Sequence, residues 1–196
     1  MRAQAIHRIV RRLRSIGLLP TTLRSLDEGA GLGLLVRLLR DSGYEAWGHD
    51  PYALPIVAEP YILPTCPDGT FQLVTAIEVI EHTQQPVEFV QSLATRLDRR
   101  GVLILTTELY EPGRLAQPET WPYLAQDYGQ HITLLSAAGL QAVSARAGLA
   151  WWCSLAFSGI QCVHLLGHYR PPPWKIWQLG RRHTRREARL RRDDSV

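Results

Sequence analysis

The sequence predicts a single α/β domain, a doubly wound, mostly parallel sheet of seven strands. Three observations carry that expectation. Two nearly continuous apolar runs, Phe71 to Val79 and Val102 to Thr106, have the character of parallel strands covered on both faces. Apolar residues recur at helical spacing in 34–41 and 86–97, so strands alternate with helices. The segment Gly29-Ala30-Gly31-Leu32-Gly33 joins a short strand to a helix, an arrangement that lets a ligand press against bare backbone.

The elements follow in order. The first helix, about 2–16, sets Ile6, Ile9, Val10, Leu13 and Ile16 at steps of three and four among arginines. That pattern is amphipathic and unlike a secretory segment. It stops at Gly17 and Pro20. Leu23 to Asp27 is a strand feeding the glycine loop, and Leu34 to Asp41 is a helix stopped by Ser42-Gly43. Tyr44 to Gly48 is the second strand, ending at His49-Asp50. Proline and turn residues fill 51–70, with a short strand near Tyr61-Ile62-Leu63. The strand Phe71 to Val79, the helix Pro86 to Leu97, a turn at Arg99-Arg100-Gly101 and the strand Val102 to Thr106 come next. Ser136 to Leu140 forms a helical turn, and Gln141 to Ala147 and Gly159 to Leu166 read as the last strands. The chain then leaves the fold at Gly167. Trp151, Trp152 and Phe157 form a late aromatic cluster, read as core or a dimer face.

A chain of 196 residues, 45% apolar and 20% charged, has the composition of a globular domain with a real core. No apolar run approaches the roughly 20 residues of a membrane span. Cys66, Cys153 and Cys162 are odd in number, scattered and without metal spacing, and read as reduced thiols in a cytoplasmic protein. Charge is unevenly placed: residues 1–14 carry +5, residues 168–196 carry +6, and the remainder carries −7. The expected organisation is an amphipathic helix in 1–20, a ligand-binding domain in 21–167 and a Pro/Arg-rich basic tail in 168–196. The tail is expected to be solvated or in low-grade contact with an anion.

The glycine loop departs from the dinucleotide pattern. That pattern asks for a small residue where Leu34 stands, and the acids Asp27 and Glu28 would repel a pyrophosphate. They suit a ligand carrying a sulfonium and an ammonium group. Asp50, at the tip of the second strand, is placed to accept hydrogen bonds from ribose hydroxyls.

The run LDEGAGLG, the GHD ending the second strand, the segment FQLVTAIEVIEH and the strand GVLILT together resemble the class I S-adenosylmethionine-dependent methyltransferases. Within them they are similar to the subgroup with an E-V-x-E-H signature, which includes ubiquinone-biosynthesis O-methyltransferases. The resemblance covers about residues 23–148 and implies a Rossmann-like methyltransferase fold. It implies S-adenosyl-L-methionine held by Asp27, Gly29, Gly31, Gly33 and Asp50, with Asp68 as the adenine contact. Two departures stand out: Gln72 replaces a usual aspartate, and the region between the second and fourth strands is compressed.

Methyl transfer from a sulfonium needs the acceptor aligned and its proton managed. The resemblance implies a divalent metal site at Glu78, Glu81, His82 and His131, similar to those of metal-assisted ubiquinone and small-RNA 2′-O-methyltransferases. Mg²⁺ or Mn²⁺ is the ion held in such sites; two carboxylates with two imidazoles favour Mn²⁺, Fe²⁺ or Zn²⁺ over Mg²⁺. A metal-free reading stands beside it, with His131 or His82 as general base and Glu108 orienting the acceptor. Trp121, Tyr123 and Tyr128 would line a small organic acceptor. The expected function is O-methylation of a small molecule or sugar. The alternatives are a metal-assisted RNA 2′-O-methyltransferase, served by the basic ends, and a non-catalytic cofactor-binding partner protein, motivated by Gln72.

Overall fold

Uninterrupted apolar runs make the centre of the sheet. Its strands are β1 (Arg24–Glu28), β2 (Glu45–His49), β3 (Ile62–Leu63), β4 (Phe71–Ile77), β5 (Leu97–Thr106), β6 (Trp151–Phe157) and β7 (Ile160–Gly167), in the order β3-β2-β1-β4-β5-β7-β6. The first five are parallel, and β7 runs antiparallel to both β5 and β6. This is the doubly wound seven-stranded sheet that the sequence predicts. The computed structural model describes residues 2–66, 69–111, 113–116, 118–124, 131–157 and 160–179.

Helices α1 (Arg2–Ser15) and α2 (Leu34–Asp41) cover one face, and α3 (Pro86–Arg96) and α4 (Ala137–Arg146) cover the other. On the first face Ile6, Ile9, Val10 and Leu13 of α1 are wholly buried against Val36 and Leu39 of α2 and the strands beneath. On the second, Val90 and Leu93 of α3 and Val143 of α4 meet Leu26, Val74, Leu103 and Leu105. Burying such side chains contributes about 1.5–3 kcal/mol each before chain entropy is counted.

Four local expectations are corrected. Gln141 to Ala147 is not a strand but belongs to α4, whose first turn is capped by the Ser136 hydroxyl accepting the Gly139 N–H at 3.0 Å. The sixth strand is instead Trp151–Phe157, where Trp151 packs on the α1 face and Trp152 on the opposite face. Residues 99–101 lie within β5, in an irregularity where Phe71 pairs with Leu97 and Leu73 with Val102. The chain does not leave the fold at Gly167: residues 173–179 are helical and return to α1. There Leu179 is buried, the Arg12 guanidinium donates to the Gln178 carbonyl at 2.8 Å, and Lys175 donates to the Gly17 carbonyl at 2.6 Å. Residues 180–196 lie outside the described residues. Among the described residues, no helix is long and apolar enough to cross a membrane.

The chain leaves β1 toward β2 and β3 on one side, then crosses from β3 to β4 on the other side of β1. The carboxyl ends of β1, β2, β4 and β5 thus border the crevice where open α/β sheets bind ligands.

Candidate active site

The loop after β1 is tied down on both sides. The Gly29 and Ala30 N–H groups donate to the His49 carbonyl at 2.8 and 3.2 Å, and the Gly31 N–H donates to Oδ2 of Asp50 at 2.9 Å. Gly29 and Gly31 have φ of +71° and +54°, a region that favours glycine. A Cβ on Gly29 would stand 2.5 Å from a Val79 methyl, whereas one on Gly31 meets nothing within 4 Å among the described residues. Gly31 therefore borders an open cradle, and Gly33 caps the α2 N-terminus beside it.

Both oxygens of Asp50 are used. Oδ1 accepts the Tyr52 and Ala53 N–H groups, each at 2.9 Å, while Oδ2 takes Gly31. Burial raises this carboxyl, but the three N–H groups and nearby His49 outweigh burial and hold it below its ordinary value. Asp27, at the end of β1, is buried and accepts the Thr75 hydroxyl at 2.6 Å. Burial pushes Asp27 up to about 7; Thr75 opposes this, and Glu28 and Asp50 add to it. Asp68 lies outside the described residues. Gln72 is part of the sheet's opposite end: its Oε1 accepts the Arg24 N–H at 2.9 Å and its Nε2 donates to Asp98 at 3.3 Å.

Beyond β4, a 3₁₀ turn at Ile80–His82 turns Glu81 inward and His82 outward. The Glu81 carbonyl accepts the Ile132 and Thr133 N–H groups at 2.9 and 3.0 Å, which draws His131 across the strand end. One donor atom from each of Glu81, His82 and His131 lies within 4.8 Å of the others. The two imidazoles meet edge to face, with centroids 4.9 Å apart. His131 donates from Nδ1 to the Tyr123 carbonyl, which leaves Nε2 as its basic nitrogen. Tyr123 donates its hydroxyl to Oε1 of Glu81 at 2.7 Å and contacts the Thr107 hydroxyl at 2.9 Å. Oε2 of Glu81 is buried without a hydrogen-bond partner among the described residues. Burial raises the Glu81 carboxyl, Glu78 adds to the rise, and Tyr123 and His131 oppose it.

The sequence profile of the methyltransferase domain matches residues 1–154. The chain belongs to that family. It is an S-adenosylmethionine-dependent methyltransferase, and the non-catalytic alternative is set aside. No curated protein matches the sequence. Among solved structures, the methyltransferase is similar in fold to magnesium protoporphyrin IX methyltransferase from Synechocystis PCC 6803, solved with SAH bound. The TM-score is 0.61 at 18% identity, over 85% of this chain and 83% of that one. It is similar to the citrinin polyketide synthase CMeT domain (TM-score 0.62, 17% identity, 86% of this chain and 52% of that one). It is also similar to mitomycin 7-O-methyltransferase (TM-score 0.57, 18% identity, 82% and 55%). The chain thus spans about half the length of the latter two.

The four residues read together as metal ligands separate in the methyltransferase into three and one. Glu78, at φ +57°, accepts the Thr106 hydroxyl at 2.8 Å and pairs with Arg2 of α1 at 3.1 Å, outside the group formed by Glu81, His82 and His131. Glu108 is occupied by the Trp121 indole N–H at 2.6 Å, and Trp121 is buried. Tyr128 lies outside the described residues. The sequence reading missed Thr75 and Thr107 as partners of Asp27 and Tyr123. Their signal is a hydroxyl near the carboxyl end of an otherwise apolar strand.

Proposed function

We propose that this methyltransferase moves the methyl group of S-adenosylmethionine to an oxygen of a small-molecule acceptor at the carboxyl edge of β4, with a divalent ion at Glu81, His82 and His131. The observation that carries the reading is that a Glu81 carboxylate oxygen and one nitrogen each of His82 and His131 lie within 4.8 Å of one another, while Oε2 of the same carboxyl is buried without a hydrogen-bond partner among the described residues. An orphaned carboxylate oxygen in such a place is expensive unless something cationic completes it. One carboxylate and two imidazoles suit Mn²⁺, Fe²⁺ or Zn²⁺ better than Mg²⁺.

The cofactor, when bound, supplies an activated methyl group on a positively charged sulfur. The chain's part is to hold it: the cradle at Gly31, Asp50 toward the ribose, and Asp27 ionising to balance the cation. The ion, when bound, makes an acceptor hydroxyl more acidic. His131, whose Nδ1 donates to the Tyr123 carbonyl, would offer Nε2 to the ion, the acceptor's proton would pass to solvent, and Tyr123 fixes the Glu81 carboxylate. The E-V-x-E-H segment Glu78 to His82 supports kinship with the ubiquinone-type O-methyltransferases. Both C- and O-methyltransferases share this fold, so the oxygen assignment rests on the ion-binding group and not on the relatives.

The test is a donor-turnover screen over phenols, sugars and short RNAs, with and without Mn²⁺, for wild type and Glu81→Gln. Mn²⁺-stimulated turnover of a phenol or sugar that is lost in Glu81→Gln supports the reading. Turnover only on RNA removes the small-molecule assignment, and turnover indifferent to metal and to Glu81→Gln removes the ion.

A further inference from the structure

A second set of donor groups gathers on the other side of the glycine loop. β1 ends at Glu28, β2 ends at His49, and Cys66 follows β3; the order β3-β2-β1 sets these three chain segments side by side. Glu28 and His49 are register partners, and Oε1 of Glu28 accepts a hydrogen bond from Nδ1 of His49 at 2.8 Å. One donor atom from each of Glu28, His49 and Cys66 lies within 4.8 Å of the others. The three are half-buried, with Glu28 and His49 side chains 17% and 18% exposed, so an ion can enter from solvent. Cys66 carries no disulfide.

We propose that Glu28, His49 and Cys66 form a binding site for a thiophilic divalent cation of the zinc class, which braces the carboxyl ends of β1 and β2 against the segment after β3. A tetrahedral ion with bonds of about 2.0–2.3 Å holds its ligands about 3.3–3.7 Å apart, so donors up to 4.8 Å apart need to close in by about 1–1.5 Å and the Glu28–His49 pair, at 2.8 Å, needs to open by about 0.5 Å. On binding, the ion takes the place of the Nδ1 proton that His49 shares with Glu28, and Nε2 takes up a proton in exchange, so the imidazole stays neutral. The Cys66 thiol loses its proton to solvent, and its sulfur lone pair forms the metal–sulfur bond. The Asp50 carboxylate, which interacts electrostatically with His49, adds negative potential. The sulfur makes this set softer than Glu81, His82 and His131, so it favours thiophilic ions more strongly than that group does. A fourth position stays open to water.

The difference in donor chemistry supplies the test. Co²⁺ is titrated anaerobically into the full chain, and the thiolate-to-cobalt charge-transfer band is followed in the near ultraviolet. The group at Glu81 has no sulfur and cannot produce that band. We expect a saturable band that Zn²⁺ displaces, that Cys66→Ser abolishes, and that Glu81→Gln leaves intact. His49→Ala should weaken Co²⁺ affinity at least about tenfold. Circular dichroism confirms that each variant is folded; if His49→Ala is not, the Cys66→Ser result decides alone. Absence of the band in wild type, or a band that survives Cys66→Ser, overturns the proposal.

Discussion

The Gly31 N–H donates a 2.9 Å hydrogen bond to Oδ2 of Asp50, so the glycine loop and the end of β2 form one unit. Asp50 is therefore both part of the proposed ribose site and the acceptor that shapes the loop. Replacing it with alanine removes the acceptor for three N–H groups. Partly exposed, charge-assisted bonds of this kind imply a loss of about 1–2 kcal/mol of stability. Cofactor affinity should fall by at least about tenfold, and thermal unfolding and calorimetry read the two effects separately.

Gly29 and Gly31 should respond differently to alanine. At Gly29 the added Cβ meets Val79 at 2.5 Å and φ is +71°, so Gly29→Ala should cost about 2 kcal/mol or more. At Gly31 the Cβ enters open space, and only the left-handed backbone is penalised, by about 1 kcal/mol. Gly31→Ala should nevertheless weaken cofactor binding, because the methyl group occupies the cradle. Urea titration of both variants, paired with cofactor titration of Gly31→Ala, checks the contrast.

Asp27 gives a pH signature. Its folded value of about 7 lies above the unfolded carboxylate value near 3.8, so the folded state holds a proton that the unfolded state releases. Its contribution to stability is full below about pH 4 and is lost as pH rises toward and through 7. Asp27→Asn should flatten that part of the stability-versus-pH curve. In the wild type, a cationic cofactor should favour the ionised form and release protons on binding near pH 6.5. Calorimetry in buffers of different ionisation enthalpy measures that release.

Glu81→Gln keeps an acceptor for the Tyr123 hydroxyl but removes the buried charge. Because burial already raises the Glu81 carboxyl, the variant should be as stable as wild type or slightly more so at pH 8. Its turnover should fall by roughly a hundredfold or more. Matching melting temperatures alongside lost turnover would separate a role at the site from one in the core.

Much of the fold was legible because the physics is local. The β4 and β5 runs bury both faces, and α1 and α2 carry a helical period, so pattern and structure agree. Residues 141–147 failed because Val143, Ala145 and Ala147 alternate like a strand, while the cap that makes them helical is Ser136, five residues upstream of Gln141. Trp151–Phe157 was legible as aromatic but not as paired, since its partner β7 follows it. At the site, the glycine loop and Asp50 could be read from spacing. Glu78 could not be separated from Glu81, because its positive φ and its pairing with Arg2 are set by tertiary contacts. Glu28, His49 and Cys66 are scattered in sequence, and only the strand order brings them together.

The central claim is that the loop from Gly29 to Gly33 with Asp50 binds S-adenosylmethionine. Calorimetric titration of S-adenosylmethionine and of NAD into the wild type and Asp50→Ala tests it most directly. Saturable one-to-one binding of S-adenosylmethionine, weakened in Asp50→Ala, with no heat from NAD, is the predicted result. Binding of NAD with none of S-adenosylmethionine would contradict it.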